Sequence, residues 1–430
     1  MDQKIYDTYV AILKSELVVA LGCTEPIAIA FASAKAREVL GKMPDHIKVM
    51  CSGNIVKNVK GVTVPNSGGC KGINIAATLG VVGGDASKEL AVLETVTDAD
   101  IAKSKELIAH GFCDCSLIED VANLYIVVQA IAGKESAEVV VKDYHSNITK
   151  IVKNGTILLS KEEDYKQDEK AVNTPDKTLL NVKDILEFAR NVKIDDVKDI
   201  LDRQIELNSA IADEGLKGHY GAEVGRTLME EFDHSNVKLI ARARAAAGSD
   251  ARMSGSSLPV VINSGSGNQG ITVSVPVIEY AKFYNKSKEE LYRALVVSNL
   301  IAIHQKRFIG SLSAYCGAVS AGCGSGAGIA YMLGMDYNQI CDVITNSITN
   351  IGGMVCDGAK PSCAAKIAVA VETAIMALHL AKHKHAFHSG EGLVKDDIEE
   401  TIASVGRMGR VGMKSTDVEI LNIMLDKIKV

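Results

Sequence analysis

Tryptophan is absent from the chain, and phenylalanine and tyrosine are sparse at 7 and 12 residues of 430. Large aromatic anchors therefore do not organise the interior, and 37 glycines point instead to close backbone approach and tight loops. An excess of positive charge is missing as well. The 47 basic and 53 acidic residues are spread along the whole length for a net charge of −6, with no basic stripe to neutralise phosphates, so a nucleic-acid partner is not expected. No apolar run reaches the roughly 18 uninterrupted residues that a membrane span needs. The stretch Ile367 to Leu380 comes nearest and is broken by Glu372, so no membrane association is expected. The opening segment MDQKIYDTYVAILKSELVVA has no basic region followed by a continuous apolar core, which argues against a secretory signal and for a cytoplasmic location. Ten cysteines are present without the paired spacing of small secreted domains, which favours soft-metal binding or thiol chemistry over disulfides.

What is present is enough apolar content, 47 %, for one large or two medium cores. Tyr6, Val10, Leu13 and Leu17 share a helical face that stops at Gly22, Cys23 and Pro26. A second helix starts with Pro26 in its first turn and stops at Gly41, which puts Cys23 at a helix N-terminus where the dipole favours a thiolate. Ile47, Val49 and Cys51 alternate as in a strand, and residues 124–159 read as a three-stranded antiparallel meander with turns at Gly133-Lys134 and Asn154-Gly155. A polar, charged segment from Ser160 to about Asp184 is expected to be an exposed connection. Beyond it the pattern is helical except for Leu258 to Val277. The stretches 312–333 and 364–383 are too apolar all round for surface helices. The chain thus reads as α+β, with an α/β domain containing a mixed sheet over residues 1–175 and a mainly helical, all-α domain over 176–430. The strand segment near 258–277 is a candidate addition to the first.

Cys316, Cys356 and Cys363 stand in Gly- and Pro-containing settings, SAYCGAVSAGC and GGMVCDGAKPSC. Three thiolates in such loops suffice to hold a 4Fe-4S cluster with one iron open, and small buried hydrophobes are the competing reading. Cys323 shares a helical face with Cys316 and reads as core, as do Cys51, Cys113, Cys115 and Cys341. The loops VPNSGGCKG, with Ser67, Gly68 and Lys71, and NSGSGNQG, with Ser264, Gly265, Ser266 and Asn268, expose amides and hydroxyls suited to a carboxylate; tight turns are the alternative. His304 and Lys306 in AIHQKRFIG are candidates for a proton donor or a carboxylate contact, set against an ordinary helix histidine.

LGCTEP, CSGN, VPNSGGCKG, NSGSGNQG and the triad Cys316, Cys356, Cys363 occur in one order over residues 6–415. Together they resemble the L-cysteine desulfidase family, whose helical half is similar to the alpha chain of iron-sulfur L-serine dehydratase. The resemblance implies a pyridoxal-independent β-elimination of L-cysteine, a small amino-acid substrate, to hydrogen sulfide, pyruvate and ammonia. It implies a 4Fe-4S cluster on Cys316, Cys356 and Cys363, and no pyridoxal phosphate. Cys23 is then the first candidate for the base or the resting fourth ligand, with His304 as a further catalytic candidate. Ser67, Gly68, Lys71, Ser264, Gly265, Ser266 and Asn268 are the expected substrate contacts. L-Serine dehydration and a non-catalytic iron-sulfur sensor are the alternatives, and a homodimer is a candidate assembly.

Overall fold

The structure is a computed structural model that describes residues 1–161, 175–231, 235–310 and 312–427. Most of the polar connection expected between 160 and 184 lies outside these residues. Strands β1 (Val19–Leu21), β2 (His46–Cys51), β3 (Cys113–Leu117), β4 (Tyr125–Ala132), β5 (Glu135–Lys142), β6 (Ile148–Lys153), β7 (Thr156–Ser160) and β8 (Pro259–Val261) make two sheets. The larger has the order β3-β2-β4-β5-β6-β7, with β2 and β3 parallel and every other pair antiparallel. It is a mixed sheet, as expected. The alternation seen in β2 orders its burial, with Ile47, Val49 and Cys51 inward and Lys48 outward. The expected three-stranded meander has four strands instead. Asn154 and Gly155 both take positive φ, 49° and 81°, and this two-residue turn splits the third stretch into β6 and β7.

Helix Thr24–Leu40 lies on β4 and β5 and against helix Ile73–Gly83, which leaves nearly its whole length buried. Strand β8 does not join the large sheet. It pairs antiparallel with β1, Val19 opposite Val261, and so brings the residues leading into Cys23 beside those leading into Ser264.

The second half is a packed set of helices around Gly317–Met332. A Cβ on Gly324 or Gly328 would lie 2.5 or 2.6 Å from the backbone oxygen of Ser298 or Ala294 in helix Lys288–Ile309. Two helix backbones therefore nearly touch, a form of packing that leaves no room for large aromatics. Helix Cys363–Lys382 is long and apolar enough to cross a bilayer, but 56 % of that apolar window is buried against Val237–Met253, Gly317–Met332 and Tyr337–Ile351. One continuous core runs through both parts, from Tyr9 and Ile27 to Val371 and Ile402.

Candidate active site

Four helix N-termini meet at one cavity of about 110 Å³. Cys23 caps Thr24–Leu40, Ser266 caps Gly267–Phe283, Cys316 caps Gly317–Met332, and Cys363 is the first residue of Cys363–Lys382. All four line the cavity, as does Cys356. The partial positive charge of four helix ends thus converges on a space walled by four thiols, a setting that favours thiolates and anions. Backbone hydrogen bonds clamp two of the thiols together: Cys316 N–H donates to Met354 O (3.0 Å) and Cys356 N–H to Ala314 O (2.6 Å), across the bridge Tyr315–Val355. Between Cys356 and Cys363 the chain turns at Gly358 with φ of +97°, where a Cβ would stand 2.4 Å from Lys57 O. Replacing Gly358 by alanine is expected to cost roughly 1–3 kcal/mol of stability, measurable as a fall in urea midpoint, with a larger loss of any metal the three thiols hold.

Cationic groups sit on the thiol side. Lys57 Nζ donates to Cys356 O (3.3 Å) and pairs with Asp417; Lys366 Nζ donates to Val355 O (2.7 Å) and pairs with Asp357. A hydrogen bond with Cys316 lowers the Cys356 pKa; burial opposes this, while Lys57, the Gly358 amide and Lys366 reinforce it, and the same hydrogen bond together with burial raises Cys316. The direction of these shifts favours the thiolate on Cys356 over Cys316.

The opposite wall is polar. Cys23 Sγ donates to Glu25 Oε2 (2.9 Å), Asn58 Nδ2 to Glu25 Oε1 (2.9 Å), and Thr24 Oγ1 to Gly265 O (2.9 Å). His145 Nε2 stands 3.9 Å from Glu25 Oε1, too far for a hydrogen bond and near enough for an ion pair. Burial works to raise the Glu25 carboxyl, but the contacts with His145 and Cys23 outweigh it and hold it below the ordinary carboxylate range. Arg252, 2 % exposed, donates from Nη1 to Asn268 Oδ1 (3.1 Å) and makes no ion pair among the described residues. Burial lowers its basicity while Cys23, Glu25 and Cys363 support the charge. Lys306, 7 % exposed, also lines the cavity, and burial pushes its amine down to about 8 against the pull of Cys356 and Cys316. Among the described residues, five buried polar atoms around this space lack a hydrogen-bond partner: Asn58 Oδ1, His145 Nε2, Arg252 Nε, Gln269 Oε1 and the Tyr315 hydroxyl. Buried polar groups are nearly always satisfied, so a cluster of orphans marks a ligand's place.

The structure brings together Cys23, Cys316, Cys356, Cys363, Ser264, Gly265, Ser266 and Asn268. It corrects the expectation of a thiolate at Cys23: burial, followed by the Glu25 carboxylate, pushes that thiol well above its ordinary value despite the helix end. Three expected contacts lie elsewhere, because the VPNSGGCKG loop closes on itself. Val64 N–H donates to Cys70 O (2.9 Å), Ser67 Oγ to the same oxygen (3.1 Å), Gly68 faces Ile101, and Lys71 is exposed. His304 also points away. Its Nε2 is 2.6 Å from Glu399 Oε2, stapling helix Lys288–Ile309 to Ile398–Arg407. Two residues on, Lys306 falls on the other side of the same helix and reaches the cavity. Glu25, Asn58, His145, Arg252 and Gln269 were not singled out from sequence; Glu25, inside LGCTEP, and Gln269, inside NSGSGNQG, lay in motifs that carried a signal.

The donor set also fits a cluster. Among the described residues no group of three or more His, Cys, Asp or Glu side chains is arranged to hold a metal ion. A 4Fe-4S cluster takes one thiolate per iron, and three thiols on one cavity, with helix-end amides and lysines behind them, supply donors of that kind.

The cavity thus combines cluster-type thiols with an arginine that has no ion pair among the described residues and with a buried lysine. The chain belongs to the serine dehydratase alpha chain family, whose pattern it matches over residues 87–422. That family is related to iron-sulfur serine dehydratases, which suggests a lyase-type enzyme and a 4Fe-4S cluster. The chain is 52 % identical to a UPF0597 protein of Finegoldia magna, over 97 % of this chain and 99 % of that one. It is 51 % identical to a UPF0597 protein of Lachnoclostridium phytofermentans (98 % and 100 %), and 43 % identical to one of Fusobacterium nucleatum (99 % and 100 %).

Proposed function

We propose that the chain is a lyase that eliminates the β-substituent of L-cysteine, releasing hydrogen sulfide and an aminoacrylate that hydrolyses to pyruvate and ammonia. The observation that carries this reading is Arg252, a buried cation without an ion pair among the described residues, facing the same cavity as Cys316, Cys356 and Cys363. Arg252 and Asn268 take the substrate carboxylate, with Ser264 and Ser266 beside them at a helix N-terminus. Cys316, Cys356 and Cys363 would hold a 4Fe-4S cluster, which when bound supplies a Lewis-acid iron. Lys306 is the base for the Cα proton, because burial leaves a substantial fraction of its amine neutral near pH 8. Cys23 is a neutral thiol bonded to Glu25, a proton donor at rest and not a base.

The sign of the pH dependence follows. A general base must be unprotonated, so turnover is expected to rise with pH through about 8 and level off above it. Lys306→Met should retain iron, lose that rising limb and fall by about 10²–10⁴-fold in kcat. A pH–rate profile of both proteins checks this; an unchanged limb in the variant removes Lys306 from the role.

L-Serine is the second reading, favoured by membership of the serine dehydratase alpha chain family. Anaerobically reconstituted protein assayed for sulfide from L-cysteine and pyruvate from L-serine separates them. Sulfide release at a kcat/KM at least about tenfold that for serine is expected. Pyruvate from serine without sulfide from cysteine establishes the second reading, and turnover of neither overturns the lyase.

A further inference from the structure

A second cavity, of about 370 Å³, opens away from the thiols and shares no lining residue with their site. Its volume lies in the range of small-molecule sites. One end is the N-terminus of helix Val237–Met253, where Asn236 accepts from the Lys238 amide. Lys238 and Lys382 flank it with no ion pair among the described residues, and His379 joins them with an unpartnered Nε2. The other end is aromatic. Phe283 and Tyr284 pack edge to face at 5.1 Å yet are 49 % and 47 % exposed, an unusual use of rings in a chain with few of them. Tyr280, 2 % exposed, also lines the cavity, and its hydroxyl has no hydrogen-bond partner among the described residues.

Each part asks for the same ligand. Two lysines and a helix N-terminus favour an anionic head. An orphaned phenol in the wall wants an acceptor or donor that the protein does not supply, and exposed rings want an apolar body. Burial, Lys238, Lys382 and His383 all hold His379 below its ordinary pKa, a sign of surplus positive charge that no described carboxylate relieves. We propose that this cavity binds a small organic anion, a carboxylate or phosphate on an aromatic or branched apolar body, at a site separate from the thiol-lined cavity.

Phenyl phosphate and phenylacetate titrated calorimetrically into the full-length chain test it, with phenol and inorganic phosphate as half-ligands. Saturable binding of either whole anion, at least about tenfold tighter than both halves, is expected from joining a charge-assisted contact to apolar burial. The double variant Lys238→Gln/Lys382→Gln, at one half-buried and one exposed position, should weaken that binding at least about tenfold. Tyr280→Phe should weaken it by a smaller factor, and Arg252→Met should leave it unchanged, because that change lies in the other cavity. The proposal is overturned by no saturable binding up to about 10 mM, by equal binding to the lysine double variant, or by loss of binding in Arg252→Met alone.

Discussion

Arg252→Met is expected to abolish most turnover while leaving the fold at least as stable as before. The guanidinium is buried and hydrogen-bonded to Asn268, with no carboxylate partner among the described residues. A buried charge of this kind costs folding free energy, and methionine fills similar space without it. The melting temperature should therefore hold or rise. Catalysis moves the other way, because removing one partner of a buried charge-to-charge hydrogen bond costs roughly 2–5 kcal/mol, about 30- to several-thousand-fold in kcat/KM. Arg252→Lys, which keeps the charge but not the fork, should recover only part of it. A variant that loses stability along with activity would mean that Arg252 is a structural residue, and one that keeps activity would remove the carboxylate site.

Cys356→Ala should cost the protein its iron. The hydrogen bond with Cys316 and, behind it, Lys57, the Gly358 amide and Lys366 all lower the pKa of this thiol, which lines the cavity with Cys316 and Cys363, and thiolates are the ligands iron takes. With a triad of donors the wild type should hold about four irons after anaerobic reconstitution. Loss of one donor leaves two, and iron content is expected to fall below about one per chain, with the visible absorption of the cluster gone. Cys323→Ala is the internal control. Cys323 is buried outside the cavity, where Gln305 Nε2 donates to its sulfur at 3.2 Å, and its removal should leave iron unchanged. Equal iron in Cys356→Ala and wild type would sink the cluster reading whatever the enzyme turns over.

Much of the site was legible because local chemistry announces it. A cysteine before a helix start, a Gly-Pro loop before a buried helix, and an Asn-Ser-Gly turn opening a helix are patterns set within ten residues. The failures come from what such windows do not contain. VPNSGGCKG and NSGSGNQG open alike, yet the first is closed by Val64 and Cys70 while the second opens a helix at Ser266. His304 and Lys306 lie on one helix buried on every side, so periodicity could not say which faced the cavity. Arg252 and His145 reach the site only through tertiary packing, Arg252 from the end of an alanine-rich helix. In the sheet, a turn already marked at Asn154-Gly155 was enough to make a fourth strand, but the strands either side are five and six residues long and read as one.

The convergence of four helix ends has a consequence for how the site responds to its medium. Peptide dipoles do not titrate, and buried ones are poorly screened by dissolved ions, whose reach of about 8 Å at 0.15 M applies to exposed charge. The attraction for an anionic substrate should then persist in concentrated potassium chloride, and KM should change little between low and high ionic strength, unlike that of an enzyme that gathers its substrate with surface lysines.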